Sequence, residues 1–319
     1  MSARQRHVVG LVAMVLLAPV IAAAQATTPR TPWGDPDLGG VWDFRTLTPL
    51  ERPEEQADRE FLTEEEVAEI ERGAEETNRT ADAAEAVRTE AGGNVGAYNR
   101  FWFDFGTNVV EDGRTSLIVD PPNGRRPPKT PEGEERPGFG GSFGTGPLEQ
   151  VEDLNYFDRC IGTTALPIYP TAYNNNVQLF QTPDHVAMFV EMMGSTRIIP
   201  LDRRPHGEIR QWLGDSRGHW EGDTLVVETT NFDRELLIIG GSRNARLLVE
   251  RFTRVGDMIE YSFTVDDPTT WTAPWTAVQS LRKTAAPLFE YACHEGNYAA
   301  ANMLAGARQA EAAEAAAGR

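Results

Sequence analysis

The clearest pattern along the chain has a period of two. Ile259, Tyr261, Phe263 and Val265 alternate with Glu260, Ser262, Thr264 and Asp266. Successive strand side chains point to opposite faces, so this segment reads as a half-buried β-strand. Leu247 to Val255 precedes it across Gly256-Asp257, a dipeptide suited to a tight hairpin. Gly218-His219-Trp220 turns in the same way through Glu221-Gly222-Asp223 into Thr224 to Thr230. Short runs at Leu38 to Phe44, Val177 to Phe180, Val186 to Glu191, Thr196 to Pro200 and Leu288 to Cys293 read as further strands, and Phe101 to Phe105 and Thr115 to Val119 are β-like. About eight or more short strands without alternating helices argue against a parallel sheet. They predict a mainly β fold, an antiparallel up-and-down barrel or a curved sandwich. A barrel of about eight strands encloses one small ligand.

Helical signals are confined to the flanks. Thr63 precedes Glu64-Glu65-Glu66-Val67, so its hydroxyl can cap a helix while Glu66 returns a bond to its backbone. Val67, Ile70 and Ala74 give that helix one apolar stripe, and Thr80 to Ala91 reads as a second, acidic and solvated helix. Residues 121–147 hold seven Pro and seven Gly, a long irregular loop that suits a lid or a cover on the sheet. The predicted organisation is therefore a signal segment over 1–24, an N-terminal turn and first strand over 25–60, and an acidic helical insertion over 61–100. A β-rich domain over 101–298 and an Ala-rich helical tail over 299–319 complete it.

The N-terminus changes the reading of the rest. Arg4 and Arg6 precede an apolar run from Val8 to Ala18, which ends at Pro19 and Ala22-Ala23-Ala24 ahead of Gln25. This is the three-part form of a secretory signal, and the run falls short of the roughly 20 residues needed to span a membrane. The expected location is periplasmic or secreted, with no membrane anchor. An oxidising compartment permits Cys160 and Cys293 to pair; two free thiols, or a metal-binding or nucleophilic Cys293, are the alternatives. Closing that 133-residue loop is worth about 4 to 5 kcal/mol in the chain-entropy account. The 30 Lys and Arg against 48 Asp and Glu give a net charge of -18. Such a surface repels phosphate backbones and anionic lipid, so no nucleic-acid partner is expected.

Candidate chemistry is scattered. Gly214-Asp215-Ser216-Arg217-Gly218 fits the G-x-S-x-G of serine hydrolases, but a strand follows it where that motif requires a helix. His185, His206, His219 and His294 stand in no spacing that forces a shared metal, so no metal is expected. No phosphate-binding Gly-rich loop or haem attachment motif occurs, so no cofactor is expected either. If Cys293 and Glu295 lie in a strand they face one way and His294 the other. The densest set runs from Glu191 to His219 and includes Arg197, Asp202, Arg203, Arg204, His206, Asp215 and Arg217. Carboxylate, histidine and arginine together can hold an anion or a phenol and move a proton; the competing reading is a structural salt-bridge network. Glu191, Arg197, His206, His219 and His294 are the candidate catalytic residues. Trp212, Trp220, Trp275 and Tyr291 are the candidate walls of an apolar pocket.

Four stretches, Trp212 to Phe232, Val249 to Val255, Thr264 to Pro268 and Tyr291 to Tyr298, resemble a large group of exported bacterial β-rich proteins. The resemblance covers roughly residues 155 to 308 and the Pro-Trp-Gly-Asp-Pro-Asp-Leu opening. It implies export and a β-rich fold and transfers no catalytic residue. Gly40-Val41-Trp42 is similar to the lipocalin start, which implies a lipocalin-like barrel with residues 55 to 155 as an insertion. The expected function is enclosure of a small apolar or aromatic molecule and cofactor-independent acid/base action on it, as a lyase or isomerase. The alternatives are a non-catalytic binding protein, a hydrolase using Ser216, and a structural envelope protein without a pocket.

Overall fold

The computed structural model describes residues 28–83, 103–104, 106–136, 148–162, 166–233 and 240–318. The signal segment, the second half of the acidic insertion and part of the Pro/Gly-rich loop lie outside them. The strands are β1 (Gly40–Asp43), β2 (Ile118–Asp120), β3 (Asn176–Gln181), β4 (His185–Val190), β5 (Ser195–Pro200), β6 (Asp215–Glu221), β7 (Thr224–Thr230), β8 (Leu247–Val255), β9 (Met258–Asp266) and β10 (Trp275–Thr284). They form one sheet in the order β5-β4-β3-β1-β10-β9-β8-β7-β6, and β2 pairs with β10 off that path. The expected mainly β, up-and-down barrel is what the chain forms.

Every paired neighbour is antiparallel. Following those pairings around the ring makes β5 and β6, which lie side by side, run in the same direction. An odd ring of strands forces one parallel neighbour, and a parallel neighbour needs a long connection. Residues 201–214 supply it, crossing from the end of β5 back to the start of β6. The seam is closed by packing: a Cβ added to Gly218 of β6 would come 2.7 Å from Leu201 Cδ2 and 2.9 Å from Ile199 Cγ2, so glycine leaves room for these side chains against β6.

Alternation in each strand sends one face inward. Trp42, Leu179, Met188, Ile199, Leu225, Phe252, Tyr261, Phe263 and Trp275 are all buried and belong to one core. Full burial of side chains this large contributes about 2 to 3 kcal/mol each relative to exposure. At one end the N-terminal segment caps the barrel. Leu38 is buried, its N–H donates to Gln181 Oε1 (2.9 Å), and Arg30 pairs with Asp223 (2.8 Å). Arg254 bonds the Asp37 carbonyl there and lies 5.4 Å from the centre of the Trp42 ring.

The helices stay outside. α1 (Glu64–Ala83) buries no residue. Its capping box forms as the sequence predicts, with Glu66 N–H donating to Thr63 Oγ1 (3.2 Å) and Thr63 N–H to Glu66 Oε2 (2.8 Å). It runs on through Thr80 without a break; the rest of the proposed second helix, 84–91, lies outside the described residues. α2 (Pro131–Glu135) interrupts the Pro/Gly-rich loop, and α3 (Ala299–Ala316) is the expected tail helix. One strand expectation fails. Leu288 to Cys293 is irregular, its bonds going to a side chain and within the segment: Phe289 N–H donates to Glu191 Oε1 (2.7 Å) and Cys293 N–H to the Tyr291 carbonyl (2.9 Å). Phe103 and Asp104 are also irregular, the rest of 101–105 being outside the described residues.

Candidate functional site

The inner wall carries a polar network that the apolar alternation does not require. Leu248, Glu250 and Phe252 share the inward face of β8, so Glu250 enters the barrel with no exposed surface. Arg197 enters from β5, 3% exposed, and grips both carboxylate oxygens (Nη1–Oε2 2.6 Å, Nη2–Oε1 2.9 Å). Tyr261 of β9 donates its hydroxyl to Glu250 Oε1 (2.8 Å) and accepts from Ile168 N–H (3.1 Å). Gln279 of β10 donates Nε2 to the Ile168 carbonyl (2.8 Å). Residues around Ile168 thus fill the interior from a connecting segment. Burial first, and the adjacent Glu250 charge second, push the Tyr261 phenol well above its usual range, so it stays a proton donor.

Several inward polar atoms have no hydrogen-bond partner among the described residues: Arg197 Nε, Trp220 Nε1, Trp275 Nε1 and Gln279 Oε1. Cross-strand register puts Gln279, Tyr261, Phe252, Leu225 and Trp220 in one row across β10, β9, β8, β7 and β6. One end of the row offers an acceptor, the other a donor, and apolar rings and a leucine lie between.

The proposed catalytic residues occupy different places. Glu191 is buried at the end of β4, where it accepts from Asn176 Nδ2 (2.8 Å) and Phe289 N–H, a brace for the C-terminal segment. Arg197 lies in the interior. His206 sits in the β5–β6 connection with Nδ1 3.4 Å from Asp215 Oδ2, and the buried Asp215 also accepts Gly207 N–H (2.7 Å) and pairs with Arg217. His219 alternates with Gly218 and Trp220 and faces outward, with Nε2 3.2 Å from Glu221 Oε1. Arg251 first, and His219 second, hold the Glu221 carboxyl below its usual range. Asp202 pairs with Arg204 in the open, which holds its carboxyl at about 2. His294 and Glu295 are exposed in a turn. The strand alternation expected for Cys293, His294 and Glu295 therefore does not apply.

Of the aromatic candidates, Trp275 is fully buried, edge-on to Trp271 and Phe263, and Trp220 is half-buried against the core. Trp212 lies outside, before β6, and Tyr291 stacks on Tyr173 at 6.1 Å. Ser216 lies within a strand, its hydroxyl 2.9 Å from Thr229 Oγ1, away from any strand-to-helix turn. Cys160 and Cys293 form a disulfide, with 5.6 Å between their Cα atoms. Among the described residues no three His, Cys, Asp or Glu side chains are grouped to hold a metal ion, and no helix is long and apolar enough to cross a membrane. Glu250, Tyr261 and Gln279 belong to no sequence motif because they sit in alternating strands. The signal was present in Val249 to Val255, where Glu250 falls on the face of Leu248 and Phe252.

No family model and no curated protein matches the chain. Among solved structures, a "secretary abundant heat soluble (SAHS) protein" from Ramazzottius varieornatus is similar to it at 17% identity and a TM-score of 0.26. That likeness covers 40% of this chain and 86% of the other.

Proposed function

We propose that the barrel binds a small apolar or aromatic molecule bearing a hydrogen-bond acceptor, and holds it without chemical change in an exported compartment. The observation that carries this is Trp220. It stands on the inward face, half-buried, with its indole N–H enclosed and without an acceptor among the described residues. Buried donors are almost always paired, so a ligand acceptor is the natural complement. The interior ionisable groups favour a carrier over a catalyst. Glu250 already receives two bonds from Arg197 and one from Tyr261, so its lone pairs are committed to the fold. The Cys160–Cys293 disulfide supports the exported location.

A lyase or isomerase is the second reading, favoured by His206 and Asp215. A histidine beside a buried carboxylate is a general base in waiting, and such contacts are often long before substrate binds. Native mass spectrometry of protein purified from its exported compartment, before and after mild denaturation, tests the binding reading. A stoichiometric organic molecule released on denaturation is the expected result, and its loss in Trp220→Phe locates it. A bare chain mass under both conditions contradicts it. His206→Ala separates the two readings: a carrier retains its ligand unchanged, whereas an enzyme loses turnover.

A further inference from the structure

A second site lies on the outside of the barrel. Residues 52–61 and 112–122, with Glu260 and Val278 projecting from β9 and β10, enclose a cavity of about 250 Å3. Arg52 lines it and is 6% exposed. Its backbone is clamped, the N–H donating to the Gly124 carbonyl (2.8 Å) and the carbonyl accepting from Arg125 Nη1 (3.1 Å). Its guanidinium has no ion-pair or hydrogen-bond partner among the described residues, and Nε is enclosed. The neighbouring Arg114 is already engaged by Asp112 Oδ1 at 2.9 Å, and Ser116 Oγ donates to the Ile118 carbonyl at 3.0 Å.

A guanidinium left 6% exposed, with Nε enclosed and no anion beside it, is a costly arrangement, because most of its hydration is lost and no Coulombic partner replaces it. Gly124 keeps the arrangement in place. It has a φ of +71°, and a Cβ there would run into Ser116 Oγ and come 2.9 Å from Arg52 Nε, so glycine lets the backbone lie this close to both side chains. The lining also holds accessible apolar side chains, with Phe61 50% and Val119 40% exposed.

We propose that this cavity binds a small monocarboxylate, with its carboxylate on Arg52 and its apolar body against Phe61, Ile118, Val119 and Val278. Arginine presents a planar fork that matches a carboxylate. Glu60 and Glu260 in the lining oppose a second negative charge, which selects a monoanion over phosphate or a dicarboxylate. The volume is below the roughly 300 to 1,000 Å3 of sites for drug-sized ligands, so the occupant is compact. This site is separate from the barrel interior and stands or falls independently of it.

Benzoate is the probe, titrated calorimetrically into the full exported chain. Saturable one-to-one binding is expected, weakened at least about tenfold in Arg52→Met and less in Arg52→Lys. Benzyl alcohol, of the same shape without charge, binds at least about tenfold more weakly and is indifferent to Arg52→Met. Inorganic phosphate does not compete. Without benzoate, Arg52→Met melts at or above the wild-type temperature, because an unpaired buried charge is gone. Phe61→Ala, at an exposed position, weakens benzoate without depending on the stability of the Arg52 variants. Absence of saturable benzoate binding, equal affinity in Arg52→Met, preference for phosphate, or an Arg52→Met that melts below wild type would each overturn the proposal.

Discussion

Arg197 and Arg52 are buried to nearly the same degree, 3% and 6% exposed, in opposite circumstances. Arg197 lies inside the barrel with both ends of its fork on Glu250, which a tyrosine also serves. Arg52 belongs to the N-terminal segment outside the barrel, its backbone fixed to residues 124 and 125 and its charge unanswered among the described residues. Burial alone therefore does not say what a cation is for. An arginine that already has its carboxylate ties strands together, and here it joins β5 to β8 across the interior of a sheet whose seam has no ladder. An arginine held in place without one is poised for an incoming anion.

The largest effect expected is at the paired arginine. Glu250→Ala strands Arg197 and should cost about 3 to 5 kcal/mol in urea unfolding. Replacing both together, Arg197→Met with Glu250→Leu, should recover most of that loss, since a well-packed apolar pair of similar volume is often as stable. If the double variant were as unstable as the single one, the pair would be contributing more than mutual neutralisation. At the unpaired arginine, Gly124→Ala should cost about 1 to 3 kcal/mol, from a left-handed backbone and a Cβ driven onto Ser116 Oγ and Arg52. It should weaken benzoate as well, whereas Glu250→Ala variants that remain folded should bind benzoate normally.

Smaller effects belong to the outer helix, which touches neither arginine. Thr63→Ala removes the capping hydroxyl of α1 and should cost about 1 kcal/mol, read from the same urea curves. Arg59 and the Thr63 N–H hold the Glu66 carboxyl down from 4.5 to about 2. A carboxyl depressed in the folded state stabilises it above its ordinary titration range, and that contribution disappears as pH falls through about 2. Carbon-detected NMR of the Glu66 carboxyl should place its midpoint near 2; a midpoint near 4.5 would mean that the Arg59 contact does not persist in solution.

The barrel was legible because its signals are local. Alternation in Met258 to Asp266 and the Gly256-Asp257 turn fixed a hairpin, and Thr63 with Glu66 fixed a helix start. Leu288 to Cys293 looked like a strand because its residues suit one, yet its contacts are a disulfide and a bond to the Glu191 side chain, neither visible as periodicity. The site was less legible for a related reason. His206 and His219 stand out as titratable types close in sequence, and His294 as one beside Cys293 and Glu295, but strand alternation turns His219 outward and a turn exposes His294. Glu250 and Arg52 carry the consequential charges. One is concealed by the alternation that buries it, and the other depends on residues 112–124 folding back over residues 52–61, a long-range contact with no sequence period.

The most direct test of the contrast is a ¹H–¹⁵N NMR spectrum of the arginine side chains, recorded with and without benzoate. The Arg197 guanidinium should show slow-exchanging, well-dispersed protons that benzoate leaves unchanged, while Arg52 Nε–H should move downfield in proportion to benzoate bound. A shift at Arg197 with Arg52 silent would contradict the assignment of structural and binding roles to the two.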